Sequence, residues 1–282
     1  MEAIPMTILK AVILGVVQGL TEFLPVSSSG HLVLFQNLLG MKEPMLAFDI
    51  VLHLGTLVAV FIYFRKDFFE MIRQSFLFIV HLPRAADRQA LFEKYPYALE
   101  SSFVILSCIP TAVIGFVFKD AFEALFGSVL AVGVAWIVMS GILIASRWFQ
   151  NGIRGLELMN HQDAFLIGLA QGVSIIPGIS RSGSTILAAM LCGIEKKEAA
   201  RFSFWMSVPA IIGAAAFELD EGLDFFAASP WTLAAGFIAS AVVGYLTISF
   251  LLKLMQRGRF YLFGYYCLAV GLFTVIYFSV PR

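Results

Sequence analysis

The stretch IIPGISRSGST, residues 175–185, places the guanidinium of Arg181 inside an apolar region that runs from about 164 to 193. Proline and glycine interrupt helices, so Pro177 and Gly178 divide this region into two halves. Each half is shorter than the roughly 20 residues that cross a bilayer. Non-helical backbone at membrane depth must be surrounded by protein or by a watery cavity. The stretch therefore predicts a re-entrant helix–loop–helix pair.

The composition is that of a polytopic membrane protein. Of the 282 residues, 60% are hydrophobic and 13% are charged, whereas soluble domains average about 25% charged residues. The formal net charge is zero, so nothing indicates a nucleic-acid partner. We predict an all-α fold that forms a single membrane domain over 1–282. Six apolar segments are long enough to cross the bilayer: about 48–64, 99–118, 127–147, 200–217, 231–252 and 260–280.

A second broken region lies near the N-terminus. LPVSSSGH, residues 24–31, interrupts an apolar region over about 6–41, which we interpret as another re-entrant pair. The two regions align without gaps at an offset of 153 residues, with GVVQGLTEFLPVSSSGHLVL from Gly15 opposite GLAQGVSIIPGISRSGSTIL from Gly168. An odd number of crossings separates the copies, which predicts an inverted-topology repeat. Its two halves cover about 1–150 and 160–282.

Basic residues set the predicted orientation, because cytoplasmic loops carry the excess of Lys and Arg. The loop 65–98 holds six of them and 253–259 holds three, whereas 218–230 holds none and carries four acidic residues. We therefore predict that the loop 65–98 is cytoplasmic and that both termini are periplasmic. The first re-entrant pair then enters the membrane from outside and the second from inside.

Both breaks lead into a helix N-terminus that is rich in hydroxyl residues. Ser and Gly are good N-caps, and the first N–H groups of a helix are left free to bind an anion. Two such termini near the midplane predict a phosphate site, to which Arg181 adds a planar fork that matches phosphate oxygens. The residues predicted to bind phosphate are Gln18, Ser27, Ser29, Gly30, Ser180, Ser182, Gly183 and Thr185.

Four residues are candidates for catalysis: Glu22, Ser28, His31 and Arg181. A charge in the middle of a membrane segment costs roughly 2.5–3.5 kcal/mol, so an ionisable group such as Arg181 is a functional candidate by default. Glu22 shares a helix face with Gln18, and Arg181 offers it a counter-charge. Either Ser28 or His31 is suited to attack phosphorus, while Glu22 orients His31 or takes a proton. The set predicts phosphoryl chemistry on a lipid-borne phosphate.

Two further polar residues are given structural roles. His53 lies inside the crossing at 48–64 and has no partner apparent in the sequence, and Asp49 begins that crossing near the membrane interface. No set of three carboxylates converges, so the sequence defines no metal site and leaves Glu22 as the one candidate ligand.

These motifs resemble the bacterial undecaprenyl-diphosphate phosphatase family, the bacitracin-resistance proteins. The family's first pattern, Glu or Gln followed four residues later by Glu, appears as Gln18-Gly-Leu-Thr-Glu22 and continues to His31. Its second pattern, P-G-x-S-R-S-x-x-T, appears as Pro177 to Thr185. The similarity covers nearly the whole chain. Many members have Glu where this chain has Gln18, which weakens that position as an obligatory base or metal ligand.

The resemblance implies that the protein removes the terminal phosphate of undecaprenyl diphosphate. It implies that the product carrier is reused in cell-wall synthesis, that bacitracin resistance follows, and that this inner-membrane site opens to the periplasm. Glu22, Ser28, His31 and Arg181 match the family's functional positions. Stimulation by a divalent cation such as magnesium or calcium is also implied, and no organic cofactor is. Membrane lipids are the expected surroundings, and a homodimer is left open.

A transporter or lipid flippase is the alternative, because inverted repeats with broken helices at the midplane are a transporter architecture. A carrier needs the arginine and the helix termini, but it does not need a nucleophile beside a base. The type-2 phosphatidic-acid phosphatase superfamily shares short S-G-H and S-R motifs. Its K-x6-R-P motif is absent, and Leu187 stands where its histidine should follow, so we reject that superfamily.

Overall fold

The computed structural model describes residues 6–41, 45–84, 87–149, 151–228 and 230–280. Within these ranges the chain forms thirteen α-helices and no strand. Six of the helices are long and apolar enough to cross a membrane, and they correspond to the six predicted segments. The predicted all-α polytopic fold is therefore confirmed. The helices are Ile8–Thr21 (α1), Ser28–Leu38 (α2), Leu46–Tyr63 (α3), Arg65–His81 (α4), Arg88–Lys94 (α5), Pro96–Val117 (α6), Lys119–Phe126 (α7), Val129–Ala145 (α8), His161–Val173 (α9), Arg181–Leu191 (α10), Lys196–Ala228 (α11), Pro230–Gln256 (α12) and Leu262–Ser279 (α13).

Both predicted breaks are present. The first separates α1 from α2 over 22–27, and the second separates α9 from α10 over 174–180. The four helices have 14, 11, 13 and 11 residues. At about 1.5 Å of rise per residue, none of them reaches across a hydrocarbon core of roughly 30 Å. No helix of either pair is therefore long enough to cross by itself, and the re-entrant path of each pair stays a prediction.

The first helix of each broken pair packs on a span from the other half of the chain. α1 packs along α12, and α9 packs along α6. A Cβ atom on Gly15 would lie 2.5 Å from the carbonyl oxygen of Gly236, and one on Gly168 would collide with the carbonyl oxygen of Ser107. Gly15 and Gly168 are equivalent positions of the predicted repeat, so both copies use glycine for the same close approach. The boundaries of the repeat stay a prediction.

Aromatic side chains enclose the first break. Trp136 of α8 is fully buried, and its indole N–H donates to the carbonyl oxygen of Val26 at 2.8 Å. Phe23 is also fully buried and meets Phe204 of α11 edge to face, with ring centroids 5.4 Å apart. Protein groups thus surround the first break and bind part of its non-helical backbone, as a chain without access to water requires.

The starts of α4, α6 and α11 lie on one face of the molecule. Arg201, near the start of α11, pairs with Asp67 of α4 at 3.0 Å. It also donates to the hydroxyl of Tyr97, at the start of α6, at 3.0 Å. The segments before α4, α6 and α11 therefore share a face, which is what alternating crossings require. The assignment of that face to the cytoplasm stays a prediction.

The connecting segments contain more helix than the sequence predicts. α4 and α5 occupy most of the segment 65–98. The loop predicted over 218–230 is wrong, because α11 continues to Ala228. This acidic stretch has no proline before Pro230, and its Glu, Leu and Ala residues are good helix formers. Charge ends a hydrophobic segment, but it does not by itself end a helix.

Candidate functional site

The two breaks are joined by a pair of hydrogen bonds. The backbone N–H of Gly178 donates to Ser27 Oγ at 3.1 Å, and Ser182 Oγ donates to the carbonyl oxygen of Leu24 at 3.0 Å. These bonds span 151 and 158 residues of sequence. The N-termini of α2 and α10, which follow the two breaks, are therefore brought together as the sequence predicts.

Ser27 and Ser180 are the N-caps of α2 and α10. Each side-chain oxygen accepts from the backbone N–H of the glycine three residues later, at 3.3 Å for Gly30 and 3.1 Å for Gly183. Ser27 has a φ of 67°, a left-handed conformation that costs a residue other than glycine about 1–3 kcal/mol. The strained residue is the one whose hydroxyl also binds Gly178, so the contact between the breaks holds Ser27 in this conformation.

Glu22, directly after α1, is at the centre of the site. Its side chain is only 5% exposed. Oε2 accepts from Ser28 Oγ at 2.6 Å and from Gln18 Nε2 at 2.9 Å, and Oε1 accepts from Arg181 Nη2 at 2.5 Å. Donors from both halves of the chain thus fix one buried carboxylate in a single orientation. Gln18 supports Glu22 through its amide donor.

Arg181, the first residue of α10, reaches back to the first break. Besides its bond to Glu22, it donates through Nη1 to the carbonyl oxygen of Ser203 on α11 at 3.2 Å. Its side chain is 17% exposed. A guanidinium has five N–H donors, so these two bonds use a minority of them. The remaining donors can bind a second anion beside Glu22.

The hydroxyl residues of the second break mostly support α10. Thr185 Oγ1 donates to the carbonyl oxygen of Arg181 at 2.9 Å and lies 2.6 Å from Ser203 Oγ. Ser182 Oγ lies 3.2 Å from Ser180 Oγ. All four of these hydroxyl residues, like the Gly183 that Ser180 caps, are buried, whereas Arg181 is partly exposed. These residues hold the N-terminus of α10, which begins at Arg181, in place.

In the first break, Ser28 and Ser29 are partly exposed and stand at the start of α2. Ser29 Oγ lies 3.3 Å from Ser27 Oγ. A Cβ atom on Gly30 would lie 2.8 Å from the indole ring of Trp136, so this position needs glycine to let the helix approach α8. The accessible hydroxyl residues beside the first break are therefore Ser28 and Ser29, at the start of α2.

His31 lies in the first turn of α2, and its ring is hydrogen-bonded to residues other than Glu22. Its Nδ1 lies 2.7 Å from the carbonyl oxygen of Ser27, which can only accept, so Nδ1 carries the hydrogen. Nε2 then accepts from the hydroxyl of Tyr266 at 2.8 Å. The ring is 3% exposed and packs against Trp136. In the described part of the chain, His31 is hydrogen-bonded to Ser27 and Tyr266, and Glu22 is oriented by other residues.

His53 is the residue that sequence reasoning placed least well. From the middle of α3, its Nε2 lies 3.4 Å from Glu22 Oε2. The interpretation that it has no functional neighbour is therefore corrected. The contact joins residues 31 positions apart, one just after α1 and the other within α3, and no local sequence pattern predicts it. The only signal in the sequence was a histidine within an apolar crossing.

The described residues do not fit a metal ion held by the protein. Among them there is no group of three or more His, Cys, Asp or Glu side chains placed to hold a metal. Both oxygens of Glu22 already accept hydrogen bonds, from Arg181 on one side and from Ser28 and Gln18 on the other. The expected stimulation by magnesium or calcium stays a prediction.

Comparison with known proteins agrees with the family resemblance of the sequence motifs. The chain matches the family model described as bacitracin resistance protein BacA over residues 11–273. An undecaprenyl-diphosphatase of Methanosphaera stadtmanae is 41% identical over 270 residues, which cover 95% of this chain and 97% of that protein. One from Desulforapulum autotrophicum is 42% identical over 271 residues, covering 96% and 98%. One from Korarchaeum cryptofilum is 40% identical over 267 residues, covering 95% and 98%.

Proposed function

This chain belongs to the bacitracin resistance protein BacA family and is an undecaprenyl-diphosphatase; we propose that the site between the two breaks cleaves the terminal phosphate. The observation that carries the proposal is the convergence of Ser28 and Arg181 on Glu22, at 2.6 and 2.5 Å. A hydroxyl bonded to a carboxylate beside a guanidinium combines a nucleophile, a base and an anion-binding group. Partial exposure of Ser28 and Arg181 gives the substrate access.

The first step is binding of the terminal phosphate. Arg181 offers its donors to the phosphate oxygens, and the N-termini of α2 and α10 add their N–H groups and partial positive charge. Phosphate then competes with Glu22 for Arg181. A carboxylate that shares its counter-charge is a stronger base, so substrate binding itself prepares Glu22 to accept a proton.

The second step is nucleophilic attack by Ser28. As Oγ bonds to the terminal phosphorus, its proton passes to Glu22 Oε2, 2.6 Å away, and the bond to the bridging oxygen breaks. Undecaprenyl phosphate leaves with that oxygen. Water then attacks the phosphoserine, and inorganic phosphate leaves as the serine hydroxyl is restored. Ser28 is favoured over His31 because both ring nitrogens of the buried His31 are hydrogen-bonded within the protein.

A detergent assay tests this function. The purified protein is given undecaprenyl diphosphate, and released phosphate is measured against an Arg181→Ala variant. We expect turnover by the wild type and none by the variant, because the phosphate loses its main cation. Equal phosphate release by the two proteins would refute the role of Arg181. If neither protein released phosphate, the proposed hydrolysis itself would be refuted.

The cellular setting is proposed on the same basis. The protein lies in the bacterial inner membrane, the site opens to the periplasm, and the released monophosphate carrier returns to cell-wall synthesis. The family name supports bacitracin resistance as the consequence. The excess of Lys and Arg in 65–98 and 253–259 supports the orientation. A homodimer is compatible with this arrangement, and its test is the mass of the protein in detergent.

Lipid transport is the second candidate function. It is favoured by the two broken helices, each packed on a span of the opposite half. The test is a vesicle assay in which labelled undecaprenyl phosphate is placed in one leaflet and its appearance in the other is followed. Movement by a Ser28→Ala variant that releases no phosphate would establish transport apart from hydrolysis.

A further inference from the structure

His53 contacts Glu22 from α3, a helix that belongs to neither break. Its Nδ1 lies 2.7 Å from the carbonyl oxygen of Asp49, one turn earlier on α3. A carbonyl oxygen only accepts, so Nδ1 carries a hydrogen and the neutral ring has its lone pair on Nε2. That lone pair faces Glu22 Oε2 at 3.4 Å. The side chain is 27% exposed, whereas that of Glu22 is 5% exposed.

Two acceptors that face each other do not attract. A lone pair on Nε2 gains nothing from a carboxylate oxygen, and both gain from a proton between them. The oxygen in question is Oε2, the same atom that accepts from Ser28. His53 is thus placed to receive the proton that arrives on Glu22.

We propose that His53 acts through Glu22, as a positioning residue. Its Nε2 takes up the proton that Glu22 receives from Ser28. The proposal rests on the proposed function, in which Ser28 is the nucleophile. The Oγ–H bond breaks as the Oγ–P bond forms, the proton reaches Glu22, and it then moves to His53 as the imidazolium. Glu22 is returned to its carboxylate form before water attacks the phosphoserine.

The charged neighbours of His53 set the direction of this transfer. Glu22 contacts His53 directly, and Arg181 pairs with the other oxygen of Glu22. α12, which packs along α3, carries Lys253 as its one charged residue, in its last turn. Asp49, on the same helix, accepts from Gln36 at 2.7 Å. The imidazolium therefore forms next to a carboxylate, which stabilises it once the proton has moved.

The test compares His53→Gln and His53→Ala with the wild type in phosphate release. We expect kcat to fall about 10- to 100-fold, at the low end of what proton transfer contributes, with KM changed little. Added imidazole should restore part of the activity of His53→Ala.

His81 provides the matched control. Its Nδ1 also lies 2.7 Å from the carbonyl oxygen four residues earlier, on α4 and away from the breaks. We expect His81→Gln to leave kcat unchanged. Normal kcat in His53→Gln overturns the proposal. So does a loss of kcat that added imidazole does not restore in His53→Ala, since that indicates a structural role. A wild type that releases no phosphate would instead overturn the proposed function and, with it, this inference.

Discussion

Glu22 and Arg181 come from opposite halves of the chain, and each is the other's counter-charge in a buried site. Removing one partner of such a pair costs about 3–5 kcal/mol, because the remaining charge is left buried and unpaired. We therefore expect Glu22→Gln to lower kcat by at least about 100-fold and also to lower the thermal stability in detergent. Phosphate release and a thermal melt measure the two effects.

Glu70→Gln is the control for that substitution. Glu70 also pairs with an arginine, Arg73, but on the exposed face of α4. Exposed pairs contribute roughly 0–1 kcal/mol, so activity and melting temperature should both stay near wild type. If Glu22→Gln behaved like Glu70→Gln, Glu22 would be neither the base nor a buried ion-pair partner.

Ser28 and Ser184 offer a second comparison between residues. Both are partly exposed hydroxyl residues in the first turn of a helix that follows a break. Of these two serines, only Ser28 donates to Glu22 in the described structure. We expect Ser28→Ala to abolish turnover and Ser184→Ala to keep most of it. Quenching the reaction with substrate labelled in its terminal phosphate should trap a phosphoenzyme in the wild type and none in Ser28→Ala. Label on His31 would contradict the assignment of the nucleophile.

Sequence reasoning reached the residues of the breaks but not those that face them. Ser27, Ser180 and Arg181 were predictable because capping and the cost of a buried charge are local rules. Tyr266, which binds His31 across 235 residues of sequence, and His53 were not. Their roles depend on how distant helices pack, and hydrophobic periodicity says nothing about which polar side chains then meet.

The packing of the broken helices depends on the close approach of backbones. α1 meets α12 at Gly15, where a Cβ atom would lie 2.5 Å from the carbonyl oxygen of Gly236. We expect Gly15→Ala to destabilise the protein by about 1–3 kcal/mol, the usual range for overpacking. The shift of α1 should also move Glu22 and lower kcat. Thermal melts in detergent and phosphate release check both outcomes.

Gly141→Ala is the matched control for Gly15→Ala. Gly141 lies within α8, and a Cβ atom there would meet nothing within 4 Å. Alanine is the better helix former, so this change should be neutral or slightly stabilising. A destabilisation equal to that of Gly15→Ala would show that loss of helical glycine, and not the contact with α12, is responsible.

Among the helices, the crossings were the most predictable elements and the ends of α11 the least. All six apolar segments correspond to long helices, because the bilayer sets both their length and their composition. α11 extends to Ala228, beyond its apolar part. Hydropathy reports where a helix leaves lipid, whereas the end of the helix depends on caps and breakers such as Pro230.

At the level of the whole molecule, the two halves supply different parts of one site. Ser28 and Arg181 occupy equivalent positions at the 153-residue offset, each at the first position of its helix. One copy carries the hydroxyl and the other the cation, and both meet Glu22. A site made between two copies can give them separate tasks, while the shared N-caps Ser27 and Ser180 keep the anion-binding geometry of both.

The orientation of this arrangement leads to a prediction about the whole protein. α4 and α7 lie at opposite ends of α6, so Lys66 and Ala121, both exposed, are on opposite faces of the molecule. With the three native cysteines replaced, we expect a membrane-impermeant maleimide to label Ala121→Cys in intact cells. Lys66→Cys should be labelled only after lysis, because the basic segment faces the cytoplasm. The reverse pattern would place both termini and the first broken pair on the cytoplasmic side, and the Ser28 end of the site would then open towards the cytoplasm.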